Sequence, residues 1–152
     1  MNLPKSVFRR LENLRLPEHA ERSRLSSVLC QHLRDFEPFK RARCLGAFCS
    51  RACEPELSEL TKKVQSAAFP RVNGSLLEYF SVGSLAELTP GFKGIGEPPS
   101  IAKNKVTFVS GDIVLVPGSR FDRQGGRIGS GMGFYVRYLS GLGDAVIMIG
   151  VL

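Results

Sequence analysis

Two short runs, DIVLVPG at 112–118 and DAVIMIGVL at 144–152, are apolar at nearly every position instead of every second one. A strand wetted on one face alternates, so runs like these need cover on both faces, as parallel strands in layered α/β domains have. Between them stands RFDRQGGRIGSGMG, with five glycines (Gly125, Gly126, Gly129, Gly131 and Gly133) in nine positions, followed by the helix-like FYVRYL. A chain that leaves a buried strand through so many glycines is either turning or letting a ligand approach its backbone.

The rest of the chain supplies the cover. Apolar residues recur at helical spacing over 3–16 and 24–39, the second stretch carrying Leu25, Val28, Leu29, Leu33 and Phe36, with Ser23 and Ser26 as N-cap candidates. RCLGAFCS reads as a short buried strand that holds Cys44 and Cys49. In EPELSELTKKVQ, Pro55 suits the first turn of a helix whose acids come early and lysines late. SAAFPRV and LLEYFSV are strand-like runs around an Asn73-Gly74 turn, and LTPGFKGIGEPPS is irregular. Helices alternating with strands predict an α/β fold: an open, mostly parallel, three-layer sheet with helices on both faces.

At 152 residues and 43% apolar content, one domain with a single core is expected. A net charge of +7 attracts anions. Basic residues are nevertheless interleaved with acids and form no like-charged arm of the kind that binds nucleic acid, so no nucleic-acid partner is expected. The opening MNLPKSVFRR lacks an apolar signal core, and no stretch is long and apolar enough to span a membrane. The expected setting is cytoplasmic, without a membrane partner, and the expected state is a monomer. Cys30, Cys44, Cys49 and Cys53 fit reduced, packed thiols, since their spacing matches no zinc signature and His32 does not complete one.

The glycines follow an apolar strand, and in open α/β sheets ligands bind beyond the carboxyl ends of the strands. Glycine there admits backbone N–H groups to a phosphate, and Arg123 and Arg127 are placed to add charge-assisted hydrogen bonds. The spacing is neither of the common phosphate-loop patterns: Gly129 and Gly131 open a G-x-G-x-x-G, but Phe134 stands at its third glycine. From spacing alone, an anion-binding loop and a flexible strand-to-helix turn both stay open.

VPGSRFDRQGGRIGSGMGFYVR resembles the signature of the 5-formyltetrahydrofolate cyclo-ligase (methenyltetrahydrofolate synthetase) family. Further segments agree in order: Lys5 with Arg9, Ser23, Glu54, Pro70-Arg71-Val72 and GFKGIGEP at 91–98, so that the resemblance spans nearly the whole chain. It implies a ligase of one-carbon metabolism that uses ATP and Mg2+ as cofactors and a folate as substrate. Phosphorylation of the formyl oxygen of 5-formyltetrahydrofolate turns a poor leaving group into a good one. Attack by the neighbouring nitrogen then expels phosphate and gives 5,10-methenyltetrahydrofolate, the protein's part being positioning and charge neutralisation.

The resemblance also implies site residues. ATP would be held by Lys5 and Arg9 together with Arg127, Gly129, Ser130, Gly131, Met132, Gly133, Phe134 and Tyr135, with Arg127 the catalytic side chain. Folate would be held by Glu54, Leu77, Tyr79 and Phe134. Taken by themselves, Lys5 and Arg9 share one helical face that water alone would also satisfy, and Leu77 and Tyr79 share one face of a strand. Asp122 suits bracing of the loop through backbone hydrogen bonds.

Three departures from the family pattern fall near the expected reaction centre. Phe134 lacks a tyrosine hydroxyl; Val136 replaces an aspartate expected to help hold magnesium, leaving the metal ligands unknown; and Ser130 and Met132 stand where a basic residue is common. Asp112 and Asp144, near strand ends, are candidate replacements. The family's further segment after IGVL is also missing from this sequence. The expected activity is therefore that of a divergent cyclo-ligase. The alternative is a non-catalytic relative that binds nucleotide or folate, or an interaction protein. A basic RNA-binding domain is disfavoured, because its aromatics form no stacking pattern with the arginines.

Overall fold

A computed structural model describes residues 17–152. The expected helix over 3–16, with Lys5 and Arg9, lies outside the described residues. In chain order the elements are α1 (His19–Asp35), α2 (Glu37–Arg41), β1 (Cys44–Gly46), α3 (Ser58–Thr61), β2 (Ser66–Asn73), β3 (Leu76–Val82), β4 (Thr89–Pro90), β5 (Gly96–Glu97), β6 (Lys105–Val106), β7 (Ile113–Pro117), β8 (Arg120–Phe121), β9 (Arg127–Ile128), α4 (Phe134–Leu139) and β10 (Ile147–Val151).

Six strands form the central sheet in the order β10-β7-β1-β2-β3-β6. The first four run parallel, while β3 and β6 add antiparallel pairs. Alternation along the strands divides the apolar runs between two faces. Leu45, Ile113 and Leu115 pack with Cys30, Leu33, Phe39, Leu57 and Leu60 from the α1–α3 side. Cys44, Val114, Val116 and Tyr79 pack on the other side, where Tyr135, Tyr138 and Leu139 of α4 close the layer. The expected three-layer α/β architecture is the observed one. Gly46 is where this second face leaves no room for a side chain: a Cβ there would lie 2.7 Å from the Phe108 ring edge.

Local chemistry moves several boundaries. The helix expected over 24–39 begins at His19 and breaks at Phe36, whose ψ of 117° is extended. Pro38, at the start of α2, has no N–H to continue the ladder, and its ring would crowd the carbonyl four residues back. Ser23 and Ser26 lie inside α1 and are not caps; Ser26 is buried, and its hydroxyl accepts from the Glu56 N–H at 3.0 Å. That contact also explains why the helix expected from Pro55 shrinks to the four residues of α3. Ser50 and Cys30 donate to the Pro55 and Glu56 carbonyls, and these tethers hold 55–56 against α1. Cys44 is in its strand, but Cys49 lies in the loop beyond it. The Asn73-Gly74 signal makes a β2–β3 hairpin with Asn73 facing Leu76 and Gly74 at φ 58°.

Because β7 and β10 run parallel, Asp112 and Asp144 both precede their strands at the edge of the sheet opposite the glycine loop. The buried Asp112 carboxylate is fully engaged there by Arg43 at 2.8 Å, the Cys44 N–H at 3.1 Å and the Val109 N–H at 2.9 Å. Neither acid can replace a ligand at the other end of the strands.

Candidate functional site

The parallel strands open their carboxyl ends onto one cleft of about 740 Å³. The loop after β1 contributes Arg51 and Glu54, the β4–β5 loop Phe92 and Lys93, the segment after β7 Gly118 and Arg120, and the loop after β9 its glycines. The five glycines have two jobs. Gly125 and Gly126 form the tip of the β8–β9 hairpin, where Asp122 Oδ1 accepts from the N–H groups of Gln124 at 2.9 Å and Gly126 at 2.7 Å. Asp122 thus braces the loop as expected. Gly129, Gly131 and Gly133 instead line the cleft, the last two at φ 89° and 73°, a region that costs other residues strain.

Arg127 is a cation of the cleft held on two sides. Its Nε donates to the Pro117 carbonyl at 2.6 Å, and its guanidinium lies over the Tyr135 ring, 5.0 Å from the centroid. A Cβ on Gly129 would come within 2.6 Å of the terminal guanidinium nitrogens, so glycine is what lets the loop lie against them. Burial pulls the Arg127 pKa below its ordinary value, opposed by Tyr135 and Glu54. Burial likewise pushes the Tyr135 hydroxyl above the ordinary tyrosine range. α4 has six residues, so little macrodipole reaches the cleft, and the positive potential comes mainly from side chains. Arg123 is not among them, since it sits exposed at the hairpin tip.

Phe134 faces Phe92 edge to face at 5.4 Å, placing two aromatic rings beside Leu77 on the apolar side of the cleft. Arg137 fixes that corner by donating to the carbonyls of Ser75 and Met132 with its guanidinium 5.5 Å from the Phe134 centroid. Glu54 turns toward its own loop, accepting from the Arg51 N–H at 2.9 Å. Beneath the β4–β5 loop, the buried Glu97 accepts from the N–H groups of Val72 at 3.2 Å and Phe92 at 3.1 Å and pairs with Arg71 at 3.6 Å.

Glu54, Leu77, Arg127, Gly129, Ser130, Gly131, Met132, Gly133, Phe134 and Tyr135 all line this one cleft. Tyr79 does not reach it; at 1% exposure it lies in the core below, because β3 turns that side chain under α4. Val136 is 62% exposed and outside the lining. Sequence reasoning assigned no role to Phe92, Lys93, Arg120 or Glu97. The available signal was GFKGIGEP, in which an aromatic and a cation stand between glycines and Gly91 leaves space that the Glu97 carboxyl fills.

Residues 5–151 match the family model of the 5-formyltetrahydrofolate cyclo-ligases. The chain belongs to that family. Among solved structures, a cyclo-ligase relative described as 5,10-methenyltetrahydrofolate synthetase of Aquifex aeolicus superposes with a TM-score of 0.81 at 28% identity, over 98% of this chain and 77% of that one. A 5,10-methenyltetrahydrofolate synthetase of Mycoplasma pneumoniae, at 20% identity and a TM-score of 0.62 over 96% of this chain and 80% of that one, shares the fold. No curated protein matches the chain. As in other open α/β folds, the cyclo-ligase cleft lies where parallel strands end and their loops diverge. No helix of the described residues is long and apolar enough to cross a membrane.

Proposed function

We propose that this family member is an active cyclo-ligase, converting 5-formyltetrahydrofolate and ATP to 5,10-methenyltetrahydrofolate, ADP and phosphate. One observation carries the reading: Arg127 is fixed between the Pro117 carbonyl and the Tyr135 ring, directly against the glycines of the cleft. A guanidinium immobilised before its ligand arrives neutralises phosphate charge with little reorganisation, which is what phosphoryl transfer needs. The γ-phosphoryl group passes to the formyl oxygen as its bond to ADP breaks. The neighbouring nitrogen then attacks the formyl carbon, and the oxygen leaves with the phosphate.

The nucleotide lies along Gly129–Gly133, with Arg127 on its phosphates and Lys93 and Arg120 at the same cleft; the family resemblance adds Lys5 and Arg9, which lie outside the described residues, as phosphate contacts. The folate lies toward Glu54, whose carboxylate suits the N–H edge of a pterin, with Leu77, Phe92 and Phe134 against its ring. Tyr79 stays beneath them. Among the described residues no three His, Cys, Asp or Glu side chains converge to hold a metal, so these residues offer no magnesium cage. The ion fits better as a partner of ATP phosphates and water, the coordination magnesium commonly keeps. We place the enzyme in the cytoplasm as a monomer with no nucleic-acid or membrane partner.

The test mixes protein, 5-formyltetrahydrofolate, ATP and magnesium and follows the absorbance of the methenyl product. A rise that needs all components supports the reading. A flat trace with ATP binding intact supports instead a relative that binds without turnover, the reading favoured by a valine at position 136.

A further inference from the structure

The three tyrosines of the chain, Tyr79, Tyr135 and Tyr138, share one cluster on the α4 side of the sheet, and the chain has no tryptophan. Tyr79 packs edge to face on Phe108 at 5.1 Å and tilted on Tyr138 at 5.0 Å. Its hydroxyl is the only buried side-chain oxygen or nitrogen among the described residues that has no hydrogen-bond partner. Phenylalanine would fill the same space and keep both ring contacts without burying an orphan hydroxyl. A buried, unpartnered donor opposes folding, so its presence calls for a reason other than stability.

The surroundings supply one. The Tyr135 side chain packs against the same buried cluster that holds Tyr79. The Tyr135 ring in turn carries the Arg127 guanidinium. The two partners differ in freedom. Tyr79 is paired across β3 to Pro70 on one side and to Val106 on the other. Tyr135 stands on the six-residue α4, directly after the glycine loop.

Resting on the nucleotide-binding reading above, we propose that Tyr79 is a positioning residue: when a phosphate-bearing ligand engages Arg127, the Tyr79 hydroxyl donates to the Tyr135 oxygen and holds the Tyr135 ring, with the guanidinium on it, in one orientation. The rigid strand then sets the angle of a cation that it never touches.

The experiment compares wild type with Tyr79→Phe, using Tyr138→Phe as a control that alters the same cluster away from Arg127. Without ligand, Tyr79→Phe should melt at the same temperature as wild type or higher. Its kcat for methenyl formation should fall about five- to tenfold, the size of one net hydrogen bond, with KM for the folate within about twofold. In protein labelled with carbon-13 at tyrosine Cζ, ATP should displace the Tyr135 resonance in wild type and in Tyr138→Phe, but not in Tyr79→Phe. Unchanged turnover in Tyr79→Phe, an equal ATP-induced displacement in both proteins, or no displacement in wild type overturns the proposal. Absence of methenyl product from wild type defeats the cyclo-ligase reading alone, and the resonance comparison still decides the role of Tyr79.

Discussion

The Arg127 guanidinium lies 5.0 Å from the centroid of the Tyr135 ring while its Nε donates to the Pro117 carbonyl, so a residue of β9 is tied at once to α4 and to the end of β7. Three segments that meet only in the folded chain thus fix one charge. Lysine would keep the charge but lose the planar stack and the Nε bond. Arg127→Lys is expected to weaken ATP binding at least tenfold, and Arg127→Ala to abolish it, as titration calorimetry would measure. Equal affinity in wild type and Arg127→Lys would show that charge alone suffices.

Glu97 should matter first to stability and then to the cleft. Removing its carboxyl leaves the N–H groups of Val72 and Phe92 without their acceptor and takes the ion partner from Arg71, which keeps the Pro98 carbonyl. Glu97→Ala is expected to lower the unfolding free energy by about 2 kcal/mol, as part-buried donors left without an acceptor typically do. Folate affinity should fall with it, because the Phe92 ring faces Phe134. Urea denaturation and folate titration on one sample would separate the two effects.

Asp112 offers the contrast. Its carboxylate joins Arg43, Cys44 and Val109 at the amino edge of the sheet, away from the cleft. Asp112→Ala is expected to cost about 3 kcal/mol of stability. Below the shifted melting temperature, its ATP affinity should match wild type. A selective loss of ATP binding would mean that the two ends of the strands communicate.

The four thiols should separate by place. Cys53 is exposed and Cys49 half-buried, both lining the cleft, while Cys30 and Cys44 are buried. A thiol-specific disulfide reagent is expected to modify Cys53 first and Cys49 next, with Cys30 and Cys44 reacting only on unfolding. ATP or folate should slow the first two reactions. Unslowed reaction at saturating ligand would place the ligand elsewhere.

Alkaline pH should destabilise the fold. Burial, the largest cause in each case, raises the Cys30 and Cys44 thiols above their ordinary 9.0 and pushes Tyr138 up to about 12. A group whose folded pKa is raised contributes stability that is complete below the unfolded pKa and is lost as pH climbs toward the folded value. Stability should therefore hold through pH 8 and decline from about pH 9, more shallowly in Cys44→Ala. Parallel urea midpoints at pH 8 and 10 for the two proteins would contradict this.

Much of the architecture could be read from the chain because it is written in local pattern. The unbroken apolar runs around Ile113–Pro117 and Ile147–Val151 need cover on both faces, and Asn73-Gly74 closes the β2–β3 hairpin through one residue at positive φ. Helix ends were less legible, since Ser26 looks like a cap until Glu56, 30 residues away, takes its hydroxyl. The sequence by itself determined the α/β class and the glycine-rich segment, because period and glycine spacing act over a few residues, and its ordered motifs carried the resemblance to the family. Only the tertiary structure decided that Gly125 and Gly126 turn a hairpin while Gly129 and its successors line the cleft, that Tyr79 lies beneath the site, and that Asp112 and Asp144 stand at the far edge of the sheet. The reason is physical. Strand direction and sheet order place residues distant in sequence at one end or the other of parallel strands, and no local period records that choice.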